Sequence, residues 1–264
     1  MSYFDLGTFQ LHYEIEGEGQ PVLLSHSLVC DLEMFAFQAD KLSDEFLTLN
    51  VDTRGHGHSG LAPHEKWTLE EMAEDFLPLL DSLKIEKVHW VGLSMGGMLG
   101  LRFALAHPER VASLVLMDTS AQSEPPEMHG AYVQMAQAVR AGQIDKIMDR
   151  LLALFFSPET REKKPGLVEH WRQKFQNIPV EGVYQAALAV FNRSDLSERL
   201  KEIAVPSLIV RGEHDRARLP QESQFLAEQL PRAELKTVPA AAHLSALEQP
   251  ELTTQMIRDF IQKV

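Results

Sequence analysis

A serine set between two glycines is the strongest chemical signal in the sequence. Ser94 lies in the G-x-S-x-G run Gly92–Gly96, after the apolar run Val88–Val91 and at the start of the helical pattern Met95–Ala106. A strand followed at once by a helix makes a sharp turn that lifts the serine hydroxyl clear of the sheet. The N-terminus of the helix also favours negative charge that develops there. We therefore predict that Ser94 is a nucleophile for acyl transfer.

A histidine near the end of the sequence supplies the base that a serine hydroxyl needs before it can attack. His243 follows the predicted strand Glu234–Val238 and precedes the predicted helix Ala246–Ile261. The small residues of Pro239–Ala242 would let its imidazole approach Ser94 closely. After a serine turn of this kind, the acid and then the histidine follow along the chain. His243 is therefore the predicted base.

The acid that orients this histidine should follow the predicted strand Pro206–Val210. Asp215 is the predicted acid, and its carboxylate would accept the Nδ1–H of His243 and stabilise the imidazolium. Glu213, two residues earlier, is the near alternative. Asp118, which follows an earlier strand, is the further one.

Two backbone N–H groups are predicted to bind the oxyanion that forms during acyl transfer. One belongs to Met95, directly after the nucleophile, and the other to Leu28, in the loop after the apolar run Val22–Leu24. Such donors point at the developing charge before the reaction begins, and each lowers the activation free energy by ~2.7–4 kcal/mol.

A loop with two histidines and an aspartate, Asp52–Gly60, raises the question of a metal site. Metal ligands usually sit on a rigid frame, whereas this loop is rich in glycine and follows a strand. We predict a tight structural loop, no bound metal and no cofactor. The single cysteine, Cys30, cannot form an internal disulfide, which agrees with a reducing compartment. We interpret it as an inert small side chain.

The elements that position these residues alternate between apolar runs and helical patterns, as in a parallel sheet with crossover helices. Between residues 121 and 197 helical patterns continue without a clear strand. We predict a core of residues 1–120 and 198–264 with an inserted helical cap, 121–197. The predicted strands are Leu11–Ile15, Val22–Leu24, Phe46–Val51, Val88–Val91, Val111–Met117, Pro206–Val210 and Glu234–Val238. The predicted helices outside the cap are Phe35–Leu42, Leu69–Leu83 with Thr68 as its N-cap, Met95–Ala106, Gln221–Leu230 and Ala246–Ile261.

Charge and hydropathy exclude several classes of partner. The 264 residues carry a formal net charge of −13, so the surface repels phosphate backbones and anionic membranes, and we predict neither as a partner. The sequence has no apolar stretch long enough to span a membrane, and residues 1–6 lack the features of a secretion signal. We predict a cytoplasmic protein that acts on a small ester or lactone, with a homodimer as a compatible assembly.

Several blocks of the sequence resemble the α/β-hydrolases related to 3-oxoadipate enol-lactonase. The resemblance covers the chain apart from much of the cap and rests on Ser25–Phe35, Asp52–Ser59, Gly92–Gly100, Gly212–Asp215 and Ala241–Pro250. Ser27-Leu28 is the more specific part, because enol-lactonases tend to have Asn-Ser-Leu where most relatives have His-Gly. The resemblance implies the α/β-hydrolase fold, with a mostly parallel central sheet, helices on both faces and an inserted helical cap. It also implies a serine hydrolase of esters or lactones, most specifically of an enol-lactone.

The sequence departs from that family in the region that would recognise the substrate. His26 replaces the usual Asn, and the cap ends in Val190–Asp195 rather than an Ile-Arg-Asp-like run. The enol-lactone carries a free carboxylate, which needs a cation, and Arg193 is the candidate, with Phe191 as a further substrate contact. The same machinery would also serve a general carboxylesterase, a C–C bond hydrolase or a perhydrolase. The fold also occurs in ligand receptors without catalysis, so the fold alone does not decide the function.

Overall fold

An eight-stranded sheet forms the centre of the computed structural model, which describes residues 2–63 and 66–264. The strands are β1 (Ser2–Asp5), β2 (Gln10–Glu16), β3 (Pro21–Ser25), β4 (Leu47–Val51), β5 (Val88–Leu93), β6 (Val111–Met117), β7 (Ser207–Gly212) and β8 (Ala233–Val238). They lie in the order β1-β2-β4-β3-β5-β6-β7-β8. Only β1 and β2 pair antiparallel to their neighbours, and the rest of the sheet is parallel. The prediction of a mostly parallel sheet is confirmed.

The central strands are buried on both faces, and successive residues enter two separate cores. In β6, Leu114 and Leu116 pack in one core, while Val115 and Met117 pack in the other. This alternation follows from the two-residue period of a strand. A parallel sheet covered on both faces is therefore encoded by continuous apolar runs rather than by alternating ones.

The helices cover both faces of this sheet. They are α1 (Ala36–Leu42), α2 (Leu69–Glu74), α3 (Phe76–Ser82), α4 (Met95–Ala106), α5 (Pro126–Arg140), α6 (Met148–Phe155), α7 (Pro158–Lys163), α8 (Pro165–Gln176), α9 (Val180–Phe191), α10 (Pro220–Gln229), α11 (Ser245–Glu248) and α12 (Pro250–Ile261). Phe103 of α4 packs in the first core and Phe260 of α12 in the second. Thr68 caps α2, and its hydroxyl accepts the N–H of Glu71 at 3.1 Å, as predicted.

Two helices predicted as continuous are each divided in two. The stretch 69–83 is interrupted at Asp75, and the stretch 246–261 at Gln249. Proline causes both breaks, because it has no N–H to donate and its ring clashes with the carbonyl four residues earlier. Pro78 would meet the carbonyl of Glu74, and Pro250 that of Ala246. The strand β1 was not predicted, because it is a short edge strand whose residues are exposed or half-buried and show no apolar run.

The chain between β6 and β7 is helical throughout its regular elements, which are α5 to α9 and two short 3-10 helices. It leaves and rejoins the sheet at neighbouring points, since the N–H of Leu196 donates to the carbonyl of Ala121 at 3.0 Å. The division of the chain into core and cap at residues 121 and 197 stays a prediction. Of the helices described in residues 2–63 and 66–264, none is long and apolar enough to cross a membrane.

Candidate active site

Ser94 lies on a strained turn between β5 and α4. Its backbone has φ 54° and ψ −111°, a conformation that L-residues rarely adopt. The two flanking glycines are required by space: a Cβ on Gly92 would lie 2.3 Å from the backbone of Gly96, and a Cβ on Gly96 would lie 1.9 Å from the carbonyl oxygen of Ser25.

Hydrogen bonds on both sides hold the serine in this turn. The N–H of Ser94 donates to the carbonyl of Met117 on the neighbouring strand at 2.8 Å. Its carbonyl accepts the hydroxyl of Thr119 at 2.7 Å. These bonds compensate for the strain, and the turn presents the side chain of Ser94 at the carboxyl edge of the sheet.

Asp215 and His243 meet at the same edge, although 28 residues separate them in the chain. The Asp215 carboxylate lies 3.0 Å from His243 Nδ1, and both side chains are buried. A carboxylate only accepts hydrogen bonds, so Nδ1 carries the proton and Nε2 is left as the basic nitrogen. The other oxygen of Asp215 accepts the N–H groups of Ala217 and Arg218 at 2.8 and 3.0 Å. These bonds fix the carboxylate in position.

Ser94 and His243 line one cavity. The hydrogen bonds of the described residues do not include one between the Ser94 hydroxyl and His243. In sites of this kind the contact is often long until substrate binds. The ring of Phe155 stacks on His243 with centroids 5.5 Å apart, which restricts the imidazole to the plane set by Asp215.

The two alternative acids lie elsewhere. Glu213 is exposed, and its carboxylate accepts the N–H of Ala240 at 3.0 Å. Asp118 is fully buried and accepts the N–H of Gly212 at 2.6 Å and the hydroxyl of Ser245 at 2.5 Å. Burial, reinforced by the nearby charge of Asp215, raises the pKa of Asp118 well above its ordinary value. Neither group contacts His243, so the structure brings Asp215 alone of the three to the imidazole.

The backbone N–H groups of Leu28 and Met95 are the predicted oxyanion donors. Within the described part of the chain, neither N–H donates to a protein acceptor. The loop that carries Leu28 is held from behind by His26. His26 Nδ1 donates to the carbonyl of Ser27 at 2.8 Å, and its Nε2 accepts the N–H of Thr53 at 3.0 Å. One donor and one acceptor fix a single neutral tautomer of His26, and burial lowers its pKa.

The loop Asp52–Gly60 is a structural support for this region. Both oxygens of the buried Asp52 carboxylate are engaged, by the N–H of Leu32 at 2.7 Å, by His12 Nδ1 at 2.8 Å and by the N–H of His58 at 2.9 Å. In residues 2–63 and 66–264, no group of three His, Cys, Asp or Glu side chains could hold a metal ion.

A buried histidine in this loop predicts a loss of stability in acid. Burial lowers the pKa of His56 to about 3, and the neighbouring His26 adds to the shift. Unfolded His56 titrates near 6.5, so between pH 6.5 and 3 the unfolded state binds a proton that the folded state does not. Stability therefore falls as the pH decreases through this window. From His56 alone, we expect the free energy of unfolding to be about 2.5 kcal/mol lower at about pH 4.5 than at about pH 7.

Denaturant unfolding at a series of pH values measures this effect. His56→Asn keeps a donor for the carbonyl of Arg54, which His56 Nδ1 contacts at 3.0 Å, and should show a shallower pH dependence. His214→Asn is the control, since that imidazole is exposed. An unchanged slope in His56→Asn would contradict the assignment of the acid sensitivity to His56.

A cavity lies between the sheet edge and the helices α5, α6 and α9. Phe191 lines it and stacks on Tyr132 with centroids 5.1 Å apart, and its role as a substrate contact stays a prediction. Arg218 also lines the cavity. The remaining lining side chains are mostly apolar, which makes the cavity suited to an apolar group.

Arg193 does not lie where the sequence analysis expected it. Its side chain is fully buried, and its guanidinium donates to the carboxylate of Glu124 at 2.5 Å and to the carbonyls of Gln122 and Val190. It is not among the residues that line the cavity. The structure thus corrects the placement of Arg193 beside the substrate, and the physical reason is the partner Glu124, which lies 69 residues away in sequence.

Sequence reasoning missed two charged residues that shape the site. Arg218 lines the cavity, and only its position three residues after Asp215 could have indicated this. Glu248 is a fully buried carboxylate that accepts the N–H of Ala242 at 2.6 Å and the N–H of Ser157 at 2.7 Å. It therefore ties the loop of the histidine to the chain just after α6. The available signal in the sequence was a single acidic residue, Glu248, after the mostly apolar run Leu244–Leu247.

Comparison with known proteins identifies the class. Residues 20–250 match the family model described as alpha/beta hydrolase fold. The chain therefore belongs to the α/β-hydrolase fold family, which confirms the predicted fold, and it is a hydrolase.

The similar proteins include lactonases and an esterase. The chain is 29% identical over 256 residues to 3-oxoadipate enol-lactonase 1 of Acinetobacter baylyi, covering 96% of this chain and 94% of that protein. An enol-lactonase from Burkholderia xenovorans LB400 superposes with a TM-score of 0.92 and 33% identity, over 99% of this chain and 100% of that one. A thermophilic esterase from Thermogutta terrifontis, solved with malate bound, has a TM-score of 0.92 and 34% identity, over 97% and 94% of the two chains.

Proposed function

We propose that this protein hydrolyses carboxylic esters or lactones through an acyl-enzyme on Ser94, with His243 as base and Asp215 as the acid that orients it. The observation that carries the proposal is the 3.0 Å contact between Asp215 and His243 Nδ1. It leaves Nε2 as the basic nitrogen of an imidazole in the same cavity as Ser94.

In the first half of the reaction, the hydroxyl oxygen of Ser94 attacks the carbonyl carbon while His243 Nε2 takes the hydroxyl proton. The N–H groups of Leu28 and Met95 stabilise the oxyanion of the tetrahedral intermediate. The bond to the leaving oxygen then breaks, and His243 returns the proton to that oxygen. Asp215 keeps its charge throughout and stabilises the imidazolium.

In the second half, His243 takes a proton from water, and the resulting nucleophile attacks the acyl-enzyme. The same two N–H groups stabilise the second oxyanion, and the proton returns to Ser94 as the acid product leaves. For a lactone, both products of ring opening remain one molecule.

A second, more specific candidate is hydrolysis of 3-oxoadipate enol-lactone. The sequence blocks around Ser27-Leu28 and the lactonases among the similar proteins favour it. The chemistry also suits the site, because the leaving group of an enol-lactone is an enolate that departs readily and tautomerises to a ketone.

A panel of substrates tests both candidates. Purified protein should be assayed on the enol-lactone, simple lactones and short acyl esters, with Ser94→Ala as the control. A fluorophosphonate probe should label Ser94 in the unmodified protein. Turnover of an ester or lactone with labelling supports the proposed mechanism. Absence of both labelling and turnover would instead support a receptor without catalysis.

The support of the oxyanion loop gives a further prediction. We expect His26→Ala to lower kcat by roughly 10²–10³, about the effect of losing one oxyanion donor, with little change in KM. The loop would lose the bond from His26 to the carbonyl of Ser27, and Leu28 would no longer be held in place.

His26→Asn tests whether the effect is one of positioning. An asparagine amide can donate to the carbonyl of Ser27 and accept the N–H of Thr53, so it should restore much of the lost kcat. Steady-state kinetics and thermal unfolding of both variants would be compared. A rise in KM with kcat preserved would argue against a role of His26 in oxyanion stabilisation.

A further inference from the structure

We infer that the cavity beneath the helices α5, α6 and α9 selects substrates whose bound group is uncharged and apolar, and that it disfavours esters or lactones carrying a free carboxylate there. This inference rests on the proposed function and names its substrate class. On this view the enol-lactone, which carries a carboxylate, is a poorer substrate than an apolar ester or lactone.

The cavity that Ser94 and His243 share is lined mostly by apolar side chains. Besides the aromatic residues, its wall consists largely of aliphatic side chains and methionine, including Met135, Val139, Ile144, Ile147, Leu151 and Leu154. A carboxylate placed against such a wall loses its water. Among the described lining side chains, apart from Ser94, His243 and Arg218, only the neutral hydroxyls of Ser27, Tyr132 and Tyr184 could donate to it. An alkyl group in the same place has no hydrogen bonds to water to lose, and its burial removes apolar surface from water.

The only lining residue with a permanent charge, among those the structure describes, is Arg218, and it is already neutralised. Its guanidinium lies 3.2 Å from the carboxylate of Glu124 and 3.2 Å from that of Glu222. Arg218 and Glu124 are both buried. A substrate carboxylate would therefore meet a cation whose charge two protein carboxylates already balance. The Nε of Arg218 has no hydrogen-bond partner among the described residues, but this atom is itself buried.

The pair is part of a balanced group of charges. Glu124 also binds Arg193 at 2.5 Å, so that two arginines and the two carboxylates of Glu124 and Glu222 form one cluster. Burial tends to raise the pKa of Glu124, but the two arginines outweigh burial and hold the pKa below its ordinary value. Glu124 is therefore ionised near neutral pH, and the cluster has no net charge to offer to an anion.

Matched pairs of esters test this selectivity. In the acyl series, p-nitrophenyl heptanoate is compared with the p-nitrophenyl monoester of adipic acid. In the alcohol series, hexyl acetate is compared with 6-acetoxyhexanoate. We expect kcat/KM to be at least about 100-fold higher for the uncharged member in the series whose varied group enters the cavity. Equal or faster hydrolysis of the anionic member in both series would overturn the inference.

Variants of the cluster test the cause. Glu124→Gln removes one negative charge and leaves Arg218 and Arg193 with excess positive charge. It should therefore reduce the ratio of kcat/KM between the uncharged and the anionic ester by about 10-fold or more. Glu222→Gln should act in the same direction and serves if Glu124→Gln does not fold. Glu228→Gln is the matched control, since it changes an exposed carboxylate on the same helix, α10. If both cluster variants fold and keep the original selectivity, the neutralised Arg218 is not its cause.

The experiment separates this inference from the proposed function. A fluorophosphonate could label Ser94 and the protein could hydrolyse esters without preferring the uncharged members. This result would refute the substrate preference and support the proposed function. If the unmodified protein shows neither labelling nor turnover, the proposed function itself is refuted.

Discussion

Ser94→Ala is expected to lower the turnover of esters and lactones by about 10⁶, the scale seen when the nucleophile of a serine hydrolase is removed. The methyl group cannot form an acyl-enzyme, and His243 and Asp215 are left without a nucleophile to activate. The residual rate above that of water would come from substrate binding and the oxyanion donors Leu28 and Met95. Steady-state assays on the best ester, together with fluorophosphonate labelling, measure the loss.

The control for this variant is Ser82→Ala, which removes an exposed hydroxyl at the end of α3. It should leave both turnover and labelling unchanged. Thermal unfolding of Ser94→Ala should remain close to that of the unmodified protein. The turn is held by the N–H of Ser94, which donates to the carbonyl of Met117, and by the carbonyl of Ser94, which accepts the hydroxyl of Thr119, rather than by the Ser94 hydroxyl. Esterase activity that survives Ser94→Ala near the original rate would refute the assignment.

Asp215→Asn should lower kcat by about 10⁴, with little loss of folding. The amide oxygen can keep the bonds from the N–H groups of Ala217 and Arg218, which would turn the NH₂ group toward His243. Nδ1 would then have to accept a hydrogen bond, and the proton would move to Nε2. The imidazole would be held in place but in the tautomer that cannot take the proton of Ser94.

Two other carboxylates act as controls for this prediction. Glu213→Gln should leave kcat nearly unchanged, because Glu213 is exposed and bonds to the N–H of Ala240. Asp118→Asn replaces a carboxyl whose pKa is already raised by burial, and it should also retain activity. A large loss of kcat in Asp118→Asn with Asp215→Asn active would show that Asp118, and not Asp215, is the acid that orients His243. Measurements of kcat and of the unfolding temperature for the three variants show which carboxylate orients His243.

Local features of this protein were readable in the sequence. The glycines around Ser94, the cap at Thr68 and the continuous apolar runs of the central strands each depend on residues close together in the chain. The breaks at Asp75 and Gln249 also have a local cause, since Pro78 and Pro250 lie inside the predicted helices, although the helical periodicity continues on either side of each proline. The edge strand β1 was missed because it has no buried face to produce an apolar pattern.

Contacts between distant parts of the chain were decided only by the tertiary structure. Asp215, Glu213 and Asp118 all follow parallel strands and end at one edge of the sheet. Their order in sequence favours Asp215 but leaves the other two open, and only the 3.0 Å contact with His243 Nδ1 distinguishes Asp215 from them. The charge of Arg193 suggested a substrate contact, but Glu124, 69 residues away, binds it in the interior. Arg218 and the same Glu124 are 94 residues apart, and their pairing leaves the cavity beside Ser94 without a free cation among its described residues. Periodicity and turn chemistry act over a few residues, whereas neutralisation of a buried charge depends on whichever partner the fold brings within reach.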